Sequence, residues 1–145
     1  MNSIRVKILK QGAYLPAYGS AEAAGADLYA CLEAPVAIEP GKTAFVPTGF
    51  AMEVPKGCAG LIYARSGLAC KRGLAPANKV GVIDSDYRGE IMVGLHNAGD
   101  TDYTIQPADR IAQLMITPVV QAQITMVDEL DDTVRGAGGF GSTGK

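Results

Sequence analysis

Histidine and cysteine are scarce in this sequence: His96 stands alone, and Cys31, Cys58 and Cys70 show no C-x-x-C spacing. So few soft ligands leave little from which to build a zinc site. An odd, unpatterned set of cysteines predicts reduced thiols in a cytoplasmic protein, with Cys70 serving as packing. A basic excess is missing too. Thirteen Lys and Arg against fifteen Asp and Glu give a formal charge of −2 and a pI near 5.3, which argues against a surface that coats nucleic acid. Any anion must be held by a local cluster. No stretch approaches the roughly 18 apolar residues of a membrane helix. The first ten residues alternate charged and apolar side chains instead of forming a signal-peptide block. The expectation is a soluble, intracellular protein without a membrane or direct nucleic-acid partner.

Helical periodicity is nearly absent as well; only 66–72 reads as a short helix, and it carries Gly67. Period-two alternation takes its place. Ile4, Val6 and Ile8 alternate with Arg5, Lys7 and Leu9, and Ile91, Val93 and Leu95 share one face of a strand at 90–97. Further strands are predicted at 43–46, 49–54, 59–64, 80–83, 103–106, 111–118 and 123–127. They are separated by turn signals such as Pro40-Gly41, Pro55-Lys56-Gly57 and Asn97-Ala98-Gly99-Asp100. With 145 residues, 48% hydrophobic content, eighteen glycines and eight prolines, the pattern predicts one all-β domain, a sandwich, jelly roll or barrel. Composition shifts once, after the acidic stretch at 128–132, dividing the chain into a domain at 1–132 and a tail at 133–145.

From Arg135 to Lys145 the tail holds five glycines, so ordering it without a partner is entropically costly. It also holds Phe140, Ser142 and Thr143 between its terminal cations, a set that suits a phosphorylated molecule with a flat face. A frayed end and a flexible, ligand-closing lid both fit that composition. Two internal segments carry comparable chemistry. Between Asn78 and Glu90, a strand predicted to be buried runs into a turn with Asp84 and Tyr87; Asp84 is placed as a general base, and Gly81 permits close approach to bare backbone. A solvated turn is the ordinary alternative. Arg65-Ser66-Gly67 offers a guanidinium, a hydroxyl and an open amide to phosphate oxygens, although the tripeptide is also common loop material.

In order along the chain stand Ala24-Gly25-Ala26-Asp27-Leu28-Tyr29-Ala30, Arg65-Ser66-Gly67-Leu68-Ala69, Gly81-Val82-Ile83-Asp84-Ser85-Asp86-Tyr87-Arg88-Gly89, Arg110-Ile111-Ala112-Gln113-Leu114 and Arg135-Gly136-Ala137-Gly138-Gly139-Phe140-Gly141-Ser142-Thr143-Gly144. Together these resemble the five motifs of the trimeric dUTPases, the deoxyuridine triphosphate nucleotidohydrolases. The resemblance implies a distorted jelly roll in a homotrimer with shared active sites, and cleavage of dUTP to dUMP and pyrophosphate with Mg²⁺. It implies that Asp84 activates water and touches the sugar 3′-hydroxyl, and that Tyr87 stacks beneath the deoxyribose and excludes a 2′-hydroxyl. Asn78, with the backbone of Gly81, Val82 and Ile83, is implied to pair with uracil. Arg65, Ser66, Gly67 and Gln113 are implied as phosphate contacts, and Asp27 as a partner of Mg²⁺ through water. Arg135, Phe140, Gly141, Ser142 and Thr143 form the implied closing tail, with Phe140 on the uracil face. Ala64 and Ala137 depart from the proline and acidic residue often found in the family; Ala64 leaves the turn before Arg65 looser.

The dCTP deaminases resemble this family but need a glutamate on the strand after the aspartate turn. Counting from Asp84, that position falls at Gly94, which has no side chain. A nucleotide-sensing or partner-binding module, and a structural protein without ligand, are the remaining classes. Asp84 and the full tail favour turnover, because binding alone needs no water-activating carboxylate.

Overall fold

The computed structural model describes residues 3–139; Phe140, Gly141, Ser142 and Thr143 lie outside the described residues. Strands dominate: β1 (Arg5–Ile8), β2 (Ala17–Tyr18), β3 (Ala26–Tyr29), β4 (Val36–Ile38), β5 (Thr43–Pro47), β6 (Phe50–Glu53) and β7 (Cys58–Tyr63) precede the one helix, α1 (Ser66–Arg72). After it come β8 (Leu74–Pro76), β9 (Gly81–Ile83), β10 (Met92–Asn97), β11 (Tyr103–Ile105) and β12 (Arg110–Pro118). The strands pair antiparallel in four sheets, ordered β1-β6, β5-β10-β8, β11-β4 and β2-β3-β12-β7-β9. The all-β expectation holds. No closed barrel forms among the described residues.

Alternation in sequence becomes inside and outside in the fold. Val93, Leu95 and Asn97 of β10 point inward with Ile91, while Met92 points out. Their core neighbours include Leu28, Phe50, Leu74, Ile105 and Ile111, which together come from all four sheets, so a single core joins them. Ile4 and Val6 pack against that core, whereas Ile8 is exposed at the end of a two-stranded ribbon. Asn97 is fully buried and satisfied: its amide nitrogen donates to the Ile38 and Thr101 carbonyls, both at 2.8 Å, and its oxygen accepts from the Gly99 N–H at 2.9 Å.

Four short strands, β2, β3, β4 and β8, were not anticipated. β3 lies between β2 and β12 with Ala26, Asp27 and Leu28 all buried, so it shows no alternation to read. β4 has only three residues, and β8 ends in Pro76, tolerated because β8 is an edge strand. The strand expected at 123–127 is absent. Its pattern alternates, but no described strand pairs with it, and Ile124 and Met126 are 97% and 96% exposed. An unpaired strand leaves its backbone groups without partners and cannot persist alone. After Pro118 the described chain carries no regular element, and Val120, Leu130 and Val134 are exposed with it. Cys70, expected to pack, is exposed on α1, because the short helix turns only Leu68 toward the core.

Replacing Asn97 by Leu removes the partner of two carbonyls, one of them on buried Ile38, and of one part-buried N–H, at similar side-chain volume. The expected cost is about 3 kcal/mol, read as a lower urea midpoint at fixed protein concentration; an unchanged midpoint would show that these bonds carry no net stability.

Candidate active site

Asp27, Gln113 and Tyr63 lie side by side across β3, β12 and β7, with Gln113 the Cα partner of both others. They share the face opposite the core-directed Leu28, Leu114 and Ile62. Arg110 lies three residues before Gln113 and on a regular strand would face the other way. A bulge between Arg110 and Ala112 adds one residue and reverses that parity. Arg110 thereby reaches Asp27, donating from Nη1 to Oδ2 at 3.2 Å. Arg65, two residues beyond Tyr63, donates from Nε to Asp27 Oδ1 at 2.9 Å and from Nη1 to the Arg110 carbonyl at 3.4 Å. Asp27 is only 6% exposed, so its carboxylate depends on this double pairing. The ion pair also fixes Arg65 where Ala64 supplies no rigid ring.

The cluster sums to one negative and two positive charges. It is built to receive an anion, with Ser66 and Gly67 beside it at the start of α1. The Leu68 and Ala69 amides bond back to the Arg65 carbonyl, so the two amides before them have no partner within the helix, and both residues are exposed. Space around Gly67 is open. Among the described residues, no three His, Cys, Asp or Glu side chains converge as a metal cage. Asp27 fits an outer role only, because each of its oxygens already accepts from a guanidinium and keeps one lone pair for a metal-bound water.

A second group runs along β9, from Gly81 level with Ile62 to the Asp84–Tyr87 turn beyond the far end of β7. β9 pairs with β7 alone, making it the edge of the five-stranded sheet. The buried strand expected before Asp84 is therefore corrected: Val82 is 61% exposed because no strand covers β9 on its outer side. Alternate peptide groups of Gly81 to Ile83 point away from β7, free to pair with a ligand. Gly81 is buried against Ile62, and a Cβ there would stand 3.6 Å from the Asn78 amide nitrogen, so bare backbone and amide adjoin. A turn from Asp84 to Tyr87 follows, closed by the Tyr87 N–H donating to the Asp84 carbonyl at 3.2 Å. Both side chains are exposed. The hydroxyl end of the Tyr87 ring lies against Gly89, and its hydroxyl donates to the Glu90 carbonyl at 3.1 Å.

The Asp84–Tyr87 turn and the charge cluster do not meet within one chain. Ile83 is in register with Gly60, whereas Arg65 lies five residues further along, so Asp84 and Arg65 are separated by on the order of 20 Å of strand. Arg135 joins neither group. Its Nε donates to the Gly138 carbonyl at 2.8 Å in a local turn of the exposed tail. Gly94 lies on β10 opposite Phe45, and the Phe45 ring occupies the space a side chain would take, 3.2 Å from a Cβ built there. No carboxylate can act from that position. Sequence reasoning assigned no role to Arg110, Gly89 or Arg88. Their signal was present, since each lies inside a quoted motif, but a bulge and a ring stacked on a glycine have no sequence pattern.

A family model described as dUTPase matches residues 11–144. The deoxyuridine 5′-triphosphate nucleotidohydrolase of Burkholderia cenocepacia is 53% identical over 133 residues, 91% of this chain and 90% of that protein. Its namesake from a Janthinobacterium species is 50% identical over 100% of this chain and 99% of its own length. Among solved structures, the dUTPase of Staphylococcus bacteriophage 80alpha with dUPNHPP superimposes with a TM-score of 0.91 at 28% identity, covering 100% of both chains.

A methyl group on residue 89 would stand 2.3 Å from the Tyr87 hydroxyl oxygen. Gly89→Ala must therefore push the ring aside by about 1 Å to restore van der Waals contact. A crystal structure of the variant should show the ring displaced and its bond to Glu90 broken; a ring left in place would contradict the packing described.

Proposed function

From the fact that the chain belongs to the dUTPase family, we propose a residue-level mechanism for the activity that membership carries, hydrolysis of dUTP to dUMP and pyrophosphate. The observation behind it is the division of site residues between the two ends of β7. Asp84 must lie within one water of the α-phosphorus, and Arg65 beside the phosphate chain. A span near 20 Å does not allow both in one copy. The site is therefore assembled from different copies, the nucleoside turn of one facing the phosphate cluster of another. A homotrimer of distorted jelly-roll subunits is the proposed assembly, and the exposed Val120, Ile124, Met126 and Leu130 are surface for it to bury.

On the nucleoside side, the free edge of β9 and the Asn78 amide pair with uracil. An amine in place of the uracil carbonyl would leave fixed polar groups mismatched, which favours uracil over cytosine. Tyr87, held flat by Gly89 and Glu90, lies under the deoxyribose where a 2′-hydroxyl would collide. Asp84 orients the water and takes its proton, and also meets the 3′-hydroxyl. As the water oxygen bonds to the α-phosphorus, the bond to the α–β bridging oxygen breaks and pyrophosphate leaves.

On the phosphate side, Arg65, Ser66, Gly67 and Gln113 hold phosphate oxygens, so that catalysis rests on positioning and charge neutralisation. Mg²⁺ carried by the triphosphate would add further neutralisation of the phosphate oxygens. The remaining lone pairs of Asp27 accept from its waters. Residues 133–145 form the lid: Phe140 stacks on uracil, while Arg135, Gly141, Ser142 and Thr143 close on the terminal phosphates and exclude bulk water. The setting is the cytoplasm, with dUMP released for thymidylate synthesis and uracil kept out of DNA.

Phosphorus NMR of the protein with Mg²⁺ and dUTP, dCTP, dTTP or UTP should show pyrophosphate from dUTP alone. Asp84→Ala should lower kcat at least 10³-fold while nucleotide affinity is kept; retained turnover would remove Asp84 from the chemistry. Removing residues 135–145 should collapse kcat without altering the far-UV spectrum, since residues 135–139 add nothing to the core. An unchanged kcat would make the tail a bystander.

A further inference from the structure

The turn that carries Asp84 and Tyr87 is held by a residue to which the mechanism gives no role. Arg88 folds back over the turn, and its Nη1 donates to the Ser85 carbonyl at 2.8 Å and to the Tyr87 carbonyl at 2.9 Å. From the other nitrogen, Nη2, it reaches Glu53 Oε1 at 3.3 Å. Glu53 stands at the end of β6 and is itself paired with Arg5 across the β1–β6 ribbon, from Oε2 at 2.5 Å. One guanidinium therefore ties two carbonyls of the turn to a carboxylate on a different sheet.

We propose that Arg88 is a positioning residue for hydrolysis, clamping the Asp84–Tyr87 turn to β6 through Glu53 so that the water-activating carboxylate and the sugar-sensing ring keep one fixed relation. This rests on the roles given above to Asp84 and Tyr87. The guanidinium is the one side chain suited to the task, since its planar fork can serve two carbonyls and a carboxylate at once. A lysine ammonium offers a point charge and can satisfy the carboxylate or the carbonyls, but not the same fork. As exposed ion pairs, Arg88–Glu53 and Arg5–Glu53 contribute little to global stability, so the clamp orders the turn locally and its loss leaves the fold intact. Both consequences of a loosened turn fall on the same nucleotide. The attacking water loses alignment, and the ring beneath the sugar no longer excludes a 2′-hydroxyl.

The test measures kcat, KM and the ratio of kcat/KM for dUTP over UTP in Arg88→Ala, Arg88→Lys and Glu53→Gln, beside Asp84→Ala and thermal unfolding of each. Arg88→Ala should lose on the order of 10²-fold in kcat, as expected for a misplacement near 1 Å. Its dUTP over UTP ratio should fall, with the unfolding temperature nearly unchanged. Arg88→Lys should recover only part of kcat, and Glu53→Gln, which keeps a neutral acceptor, should lie close to the parent protein. Wild-type kcat and ratio in a folded Arg88→Ala overturn the proposal. So does a loss of activity that merely tracks loss of folded protein in all three variants, with the ratio intact. If Asp84→Ala itself still turns over dUTP, the underlying site reading fails instead, and the two failures are told apart by that one control.

Discussion

A carboxylate buried between two guanidinium groups organises the rest of this molecule. Asp27 is buried with one oxygen paired to Arg65 and the other to Arg110, and neither arginine would be aimed as it is without Asp27. The three residues come from β3, from the end of β7 and from the bulge of β12, so the ion pairs also bind the strands on which Gln113 and Ser66 ride. The remaining positive charge decides what may enter. A bare divalent cation is disfavoured by that charge, and a polyphosphate is favoured by it.

The nucleoside end works by different physics. In the proposed mechanism, selection there comes from unpaired peptide groups on an edge strand and from a ring laid against a residue without a side chain. Such contacts are short-ranged and directional, suited to telling one base or sugar from another. The charge cluster is longer-ranged and indifferent to the base. Placing the two at opposite ends of β7 lets each be built without compromising the other.

Much of this was legible in the sequence where a local rule applied. The strand of Ile91, Val93 and Leu95, the short helix opening at Ser66 and the Asp84 turn all follow from periodicity or turn chemistry, and all are present. The expectation failed where a neighbour decides the outcome. β3 is buried on both sides and lacks alternation, and 123–127 alternates but has no described partner to pair with. Val82 looked like core because it is apolar, yet it lies on an outer edge. In the site, residue types could be read but not relations. A bulge turns Arg110 to face Asp27, and nothing in Arg110-Ile111-Ala112 announces it.

In the proposed assembly, where the Asp84 turn of one copy faces the Arg65 cluster of another, a lesion at either residue damages a different junction between copies. A chain defective in its turn and a chain defective in its cluster, co-expressed, complement one another wherever an intact turn meets an intact cluster. A single chain bearing both lesions spreads its damage to two junctions at once. On that proposal, complementation between copies follows from the length of β7.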